Sequence, residues 1–205
     1  MLNGFGDSQR FQVTFYTDAH VIRGVVESRQ RRLTDILNQA DEEFLVMTDV
    51  LLDDFGTHTV AVKADYAQVN LASVLFAVGD ATAEAPPEMR TPKIPEQALI
   101  SIPPFRIVGR IHLMPERALR DALAELTGRF IPVTEASYWS DTVGEALTSA
   151  PIVAFNHSRA QIMAPHRIVD PWEGINRSEA AGADSGPDAV DARTGVVDPW
   201  GTGRS

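Results

Sequence analysis

The strongest constraint on this chain is a displaced copy of its own pattern. Shifted by 86 residues, Leu33, Asp35, Leu37, Phe44, Thr48 and Asn70 fall on Leu119, Asp121, Leu123, Phe130, Thr134 and Asn156. A shift of 85 places Ile22 and Gly24 on Ile107 and Gly109, so one inserted residue in the turn before Leu119 reconciles the two offsets. Conservative matches fill the gaps: Arg31 with Arg117, Leu45 with Ile131, Met47 with Val133, Asp49 with Glu135 and Phe76 with Ile162. Order, spacing and flanking hydrophobic pattern agree, which points to a duplicated unit. A first unit over 1–79, a linker over 80–97 carrying four prolines, a second unit over 98–166 and a tail over 167–205 follow. Proline stiffens the linker and removes backbone donors.

Within each unit the pattern is mostly that of strands. Residues 11–17 alternate, with Phe11, Val13 and Phe15 on one face. Asp18-Ala19 predicts a turn into a second strand over 20–27, where Gly24 suggests a bulge or sharp bend. Helical spacing at Leu33, Ile36 and Leu37 predicts a short helix over 33–40. Strands over 43–53, 57–64 and 72–78 complete the unit, with Asn70 opening a turn. The second unit predicts strands near 98–102, 105–113, 129–139, 146–155 and 159–164. Its helix runs from Pro115 or Glu116 to Leu126 and is stopped by Gly128. The expected fold is mainly β with short helices: two tandem small β-barrel-like units followed by a disordered C-terminal tail. Whether the units stand apart or fuse into one body is open.

The common signature is hydrophobic-x-Gly, then an arginine-containing turn, L-x-D-x-L, F-hydrophobic-x-hydrophobic-T-acid, and a closing hydrophobic-Asn. The first unit carries it as Gly24, Arg32-Leu33, Asp35, Leu37-Asn38, Phe44, Thr48-Asp49 and Asn70. The second carries Gly109, Leu119, Asp121, Leu123, Phe130, Thr134 and Asn156, but has Ala118 for Arg32 and Ala124 for Asn38. In these residues the chain resembles a bacterial family of small β domains with no established activity. In outline it is similar to Sm-like and other small β-barrels, except that the helix falls between strands instead of leading them. The resemblance implies a fold and no chemistry.

Composition narrows the function. The net charge of −10 argues against a whole-chain nucleic-acid binder, whose affinity rests on neutralised phosphates. Cysteine is absent, which removes disulfides and thiolate chemistry. No apolar run reaches the length of a membrane span, and the opening residues lack a signal-peptide core, so a cytoplasmic protein is expected. The histidines at 20, 58, 112, 157 and 166 show no zinc-ligand spacing. No G-x-S-x-G, P-loop or dinucleotide fingerprint occurs, so no catalytic residue, metal site or cofactor is assigned. Asp35 and Asp121 read as helix-start residues accepting backbone N–H bonds, and Asn70 and Asn156 as turn residues. Together with Gly24 and Gly109 they are structural positions of the repeat.

Two features suggest a binding surface. Arg29, Arg31 and Arg32 share one turn, and Arg117 and Arg120 occupy comparable territory in the second unit. They could meet phosphate, RNA or an acidic protein, or pair with the acids at 41–43 and 53–54. In the tail, Asp170-Pro171-Trp172 recurs as Asp198-Pro199-Trp200 at an interval of 28 residues. A tryptophan in a polar tail suits docking, and two copies on one chain give avidity. The expected function is a non-enzymatic protein-interaction or assembly module with a protein partner, homo-oligomerisation included. The alternatives are a nucleic-acid or nucleotide-binding regulator, and an enzyme whose cleft joins His20 or His112 to Asp35 or Asp121.

Overall fold

The alternating run at the start forms β1 (Gln9–Tyr16) in the computed structural model, which describes residues 8–39, 43–55, 62–79, 93–115, 121 and 126–166. Its inward side chains Val13 and Phe15 are buried. A turn at Thr17–Ala19 leads into β2 (His20–Ser28), paired antiparallel with β1 from Tyr16↔Val21 to Gln9↔Ser28. Helix α1 (Leu33–Leu37) buries Leu33, Ile36 and Leu37, the predicted apolar face. Then come β3 (Phe44–Asp54), β4 (Val62–Asn70) and β5 (Phe76–Gly79). The second repeat supplies β6 (Ile94–Ile102), β7 (Phe105–Leu113), β8 (Phe130–Ser140), β9 (Glu145–Asn156) and β10 (Ile162–Pro165). β6 therefore takes in the last four residues, 94–97, of the stretch read as linker.

The ten strands join one antiparallel sheet in the order β10-β6-β7-β8-β9-β5-β1-β2-β3-β4. The mainly β expectation holds, and the barrel expectation does not: the sheet is continuous across both repeats and open at both ends. The units are fused rather than separate. β5 of the first repeat pairs with β9 of the second through Phe76↔Phe155, Ala77↔Ala154 and Val78↔Val153. The cores are likewise exchanged. Tyr16, Val21, Leu75 and Phe76 pack into the core of the second repeat, and Phe130 and Ala154 into that of the first.

The repeat signature has a geometric cause. Beside Gly24 the β2·β3 register shifts between Arg23 and Val25, and beside Gly109 the β7·β8 register shifts between Val108 and Arg110. Facing them, Asp49 and Glu135 hold left-handed backbone at φ 52° and 49°. A Cβ on either glycine would stand 2.9 Å from the Thr48 or Thr134 carbonyl oxygen. Each I-x-G thus accommodates the T-acid bulge of its neighbour, and the bulge bends and twists the strand pair. Thr48-Asp49 and Thr134-Glu135 lie inside β3 and β8, not at strand ends as their polarity suggests.

Two expected strands are displaced. Residues 72–75 form a turn, exposed at Ala72 and Ser73 and buried at Val74 and Leu75, and strand begins only at Phe76 (Phe76–Gly79). β4 runs on through Asn70, beyond the end at 64 that the alternation over 57–64 predicts; 57–61 lie outside the described residues. Most of the second predicted helix lies outside the described residues. Among the described residues no helix is long and apolar enough to cross a membrane.

Candidate functional site

The surface that stands out is a groove of about 460 Å³ in the first repeat. Ile22 of β2, Val50 and Leu52 of β3, and Ala64, Ala67 and Val69 of β4 form its apolar wall. Alternation places Val50 with Leu52 and Ala67 with Val69 on one face, and the step from Ala64 to Ala67 falls opposite the left-handed Asp49. The rim is polar. Thr17 closes the β1–β2 turn by accepting from the His20 N–H at 2.9 Å and donating to the His20 carbonyl at 3.1 Å. His20 Nδ1 in turn lies 2.5 Å from Asp54 Oδ1. Asn70 opens the turn after β4, its Oδ1 accepting from the Ala72 N–H at 2.8 Å.

The second repeat shows what this groove is. By the repeat offsets Ile22, Val50, Leu52, Ala64 and Val69 correspond to Ile107, Ala136, Tyr138, Ala150 and Phe155. All five of these are at most 7% exposed. Tyr16 and Phe76 of the first repeat cover them. Their rings stack at 4.4 Å, and Phe76 meets Phe105 at 5.0 Å and Tyr138 at 5.1 Å. The Tyr16 and Tyr138 hydroxyls share a hydrogen bond of 2.9 Å. Burial pushes both phenols above their ordinary pKa. Asn156 locks the joint: its Nδ2 donates to the carbonyls of Val74 at 2.9 Å and Leu71 at 3.3 Å. In the first repeat Val50 and Val69 are buried as well, but Ile22, Leu52 and Ala64 are only partly covered and border a groove beside β4.

The residues singled out from the sequence fall into three groups. Gly24, Gly109, Asn70 and Asn156 serve the fold, the glycines at bulges and the asparagines in turns. Asp35 lies exposed in the first turn of α1, whose N-cap Arg32 makes no side-chain cap bond, and Asp121 is helical and exposed. Both are expected as helix-start acceptors; Asp35 does lie in the first turn, but the N-cap position belongs to Arg32. Arg29, Arg31 and Arg32 are exposed between β2 and α1, away from the groove wall. Other arginines meet carboxylates: Arg23 with Asp53, Arg10 with Asp49, Arg110 with Glu135 and, across the repeats, Arg159 with Asp18. Arg117, Arg120, Asp170, Pro171, Trp172, Asp198, Pro199 and Trp200 lie outside the described residues.

The two histidines of the enzyme alternative meet other partners. His20 meets Asp54, and His112 Nε2 lies 2.7 Å from Thr134 Oγ1. Burial, followed by Lys93 and Arg110, holds His112 below the usual histidine pKa. Among the described residues no cluster of three potential metal ligands occurs. Sequence reasoning missed the groove, because its wall is one face of three strands whose covering partner is decided by pairing far along the chain. No family model, curated protein or solved structure matches this chain.

Proposed function

We propose that this protein is a non-catalytic interaction and assembly module whose binding surface is the apolar groove of the first repeat and the β4 edge beside it. The observation that carries the reading is the correspondence of this groove with the site that Tyr16 and Phe76 fill in the second repeat. A surface of that shape accepts side chains from an adjoining strand. The charge pattern favours a protein over a nucleic acid: the chain carries −10, and Arg10, Arg23, Arg110 and Arg159 each face a carboxylate. The tail motifs at 170–172 and 198–200 belong to the same reading as auxiliary docking segments. The small-β-domain resemblance adds no activity to this reading.

The test replaces Tyr66, which is 73% exposed on β4, with a photo-crosslinking phenylalanine in the full chain. Irradiation in cells is expected to give a protein adduct that disappears when Ala67→Trp fills the groove. Failure to form any such adduct overturns the reading.

A further inference from the structure

The two ends of the sheet repeat the two halves of its own internal joint. Inside the chain, β9 of the second repeat pairs with β5 of the first. Among the described residues the outermost strands are β4 at one end and β10 at the other. β4 is the first-repeat counterpart of β9, and β10 is the second-repeat counterpart of β5. We propose that β4 of one copy pairs antiparallel with β10 of a second copy, in the register Val69↔Ile162, Gln68↔Met163 and Ala67↔Ala164. The proposal rests on the groove reading and names the partner as another copy of this chain.

The backbone is set for this pairing. Leu71 donates its N–H to Glu43 on the β3 side, so by strand alternation the N–H groups of Asn70 and Gln68 face the open edge. In β9 the counterpart of Asn70 is Asn156, whose N–H crosses the internal joint to the Leu75 carbonyl at 2.8 Å. The counterpart acceptor for Asn70 is the carbonyl of Gln161. On β10, Pro165 lies one residue beyond the three-residue ladder, so its missing N–H is not needed there.

Side chains agree. Ile162 is 56% exposed and stands where Phe76, fully buried, stands in the internal joint. It is the side chain that enters the apolar groove. Phe44 is 48% exposed, while its counterpart Phe130 is 1% exposed among Leu33, Ile36 and Leu37. Exposed apolar groups therefore lie on β10 and on β3 beside the β4 edge, at positions whose counterparts are buried between the repeats.

The joint between copies is the weaker of the two. Ser101, Gln161 and Ala124 occupy the positions of Tyr16, Leu75 and Asn38, so the tyrosine pair and the Asn38 contact have no equivalent. Association is consequently concentration-dependent. Two unlike patches make a heterologous contact, which closes into a ring or continues as an open chain.

Sedimentation velocity on the full chain tests this. Wild type is expected to grow in mass with concentration. Ile162→Asp blocks one edge, and Gln68→Pro blocks the other while leaving the β3-facing bonds of β4 intact. Each variant alone is expected to be monomeric, and an equimolar mixture is expected to double in mass and stop there, because each supplies the edge the other has lost. Circular dichroism checks folding, and Ala67→Trp replaces Gln68→Pro if the proline variant unfolds. A wild type that stays monomeric, or an Ile162→Asp variant that still self-associates, overturns the proposal. The Tyr66 crosslink separates it from the parent reading. An adduct to a peptide containing Ile162 supports the joint between copies. An adduct only to a different protein overturns this joint and leaves the groove reading standing, and no adduct overturns both.

Discussion

Asn38 and Phe130, one at the end of α1 and the other at the start of β8, bind each other reciprocally across the repeats. The Asn38 Nδ2 donates to the Phe130 carbonyl at 2.8 Å, and the Phe130 N–H donates to Asn38 Oδ1 at 2.8 Å. A side-chain amide here does the work of a strand neighbour. Asn38→Ala leaves a part-buried donor and acceptor unpaired, at an expected cost of about 1–3 kcal/mol. Urea denaturation followed by circular dichroism checks it, and a loss within error of zero would contradict the role.

The Tyr16–Tyr138 hydrogen bond predicts non-additive mutants. Tyr16→Phe strands the Tyr138 hydroxyl in an apolar cluster and is expected to cost about 1–2 kcal/mol. The double variant with Tyr138→Phe is expected to cost less than the sum of the single changes, because no orphan hydroxyl remains. A double-mutant cycle in urea measures the coupling.

The same pair predicts sensitivity to alkali. Both phenols are held above their ordinary value by burial. The unfolded chain releases these protons from pH about 10 while the folded chain keeps them, so stability falls as pH rises above that point. The double phenylalanine variant is expected to lose this part of the decline, read as melting temperature against pH.

Gly24 and Gly109 admit no Cβ without movement of the facing backbone. Gly24→Ala and Gly109→Ala are each expected to destabilise by about 1–3 kcal/mol. Gly109→Ala is expected to be the worse, because Val133 Cγ1 also lies 2.5 Å from the new carbon. Thermal melts of the two variants give the order directly.

Thr48 and Thr134 occupy equivalent bulges with different fates. The Thr48 hydroxyl is buried without a partner, whereas Thr134 Oγ1 bonds His112. Thr48→Val is expected to be neutral or stabilising by up to about 1 kcal/mol, and Thr134→Val to cost about 1 kcal/mol. Equal losses in the two variants would refute the distinction.

What the sequence disclosed was local. Alternation marked β1, and Gly24 announced its bulge because a residue without Cβ in a strand signals close backbone approach. Asn70 and Asn156 were legible as turn residues. The part of the turn at 72–75 reads as strand, since Val74 and Leu75 are apolar and buried. The backbone of that turn is satisfied by Asn156, a donor 82 residues beyond Val74. Closure was also illegible. Two identical strand patterns do not say whether each rolls up alone or lends its edge to the other, and the groove depends on that choice.

The exchange of side chains between the cores has a thermodynamic consequence. Removing the second repeat would strip Phe130 and Ala154 from the first core, and removing the first would uncover the face beneath Tyr16 and Phe76. Neither half therefore possesses a complete interior of its own. Opening either one raises the energy of the other, so the two halves melt as one cooperative unit instead of as two successive foldons.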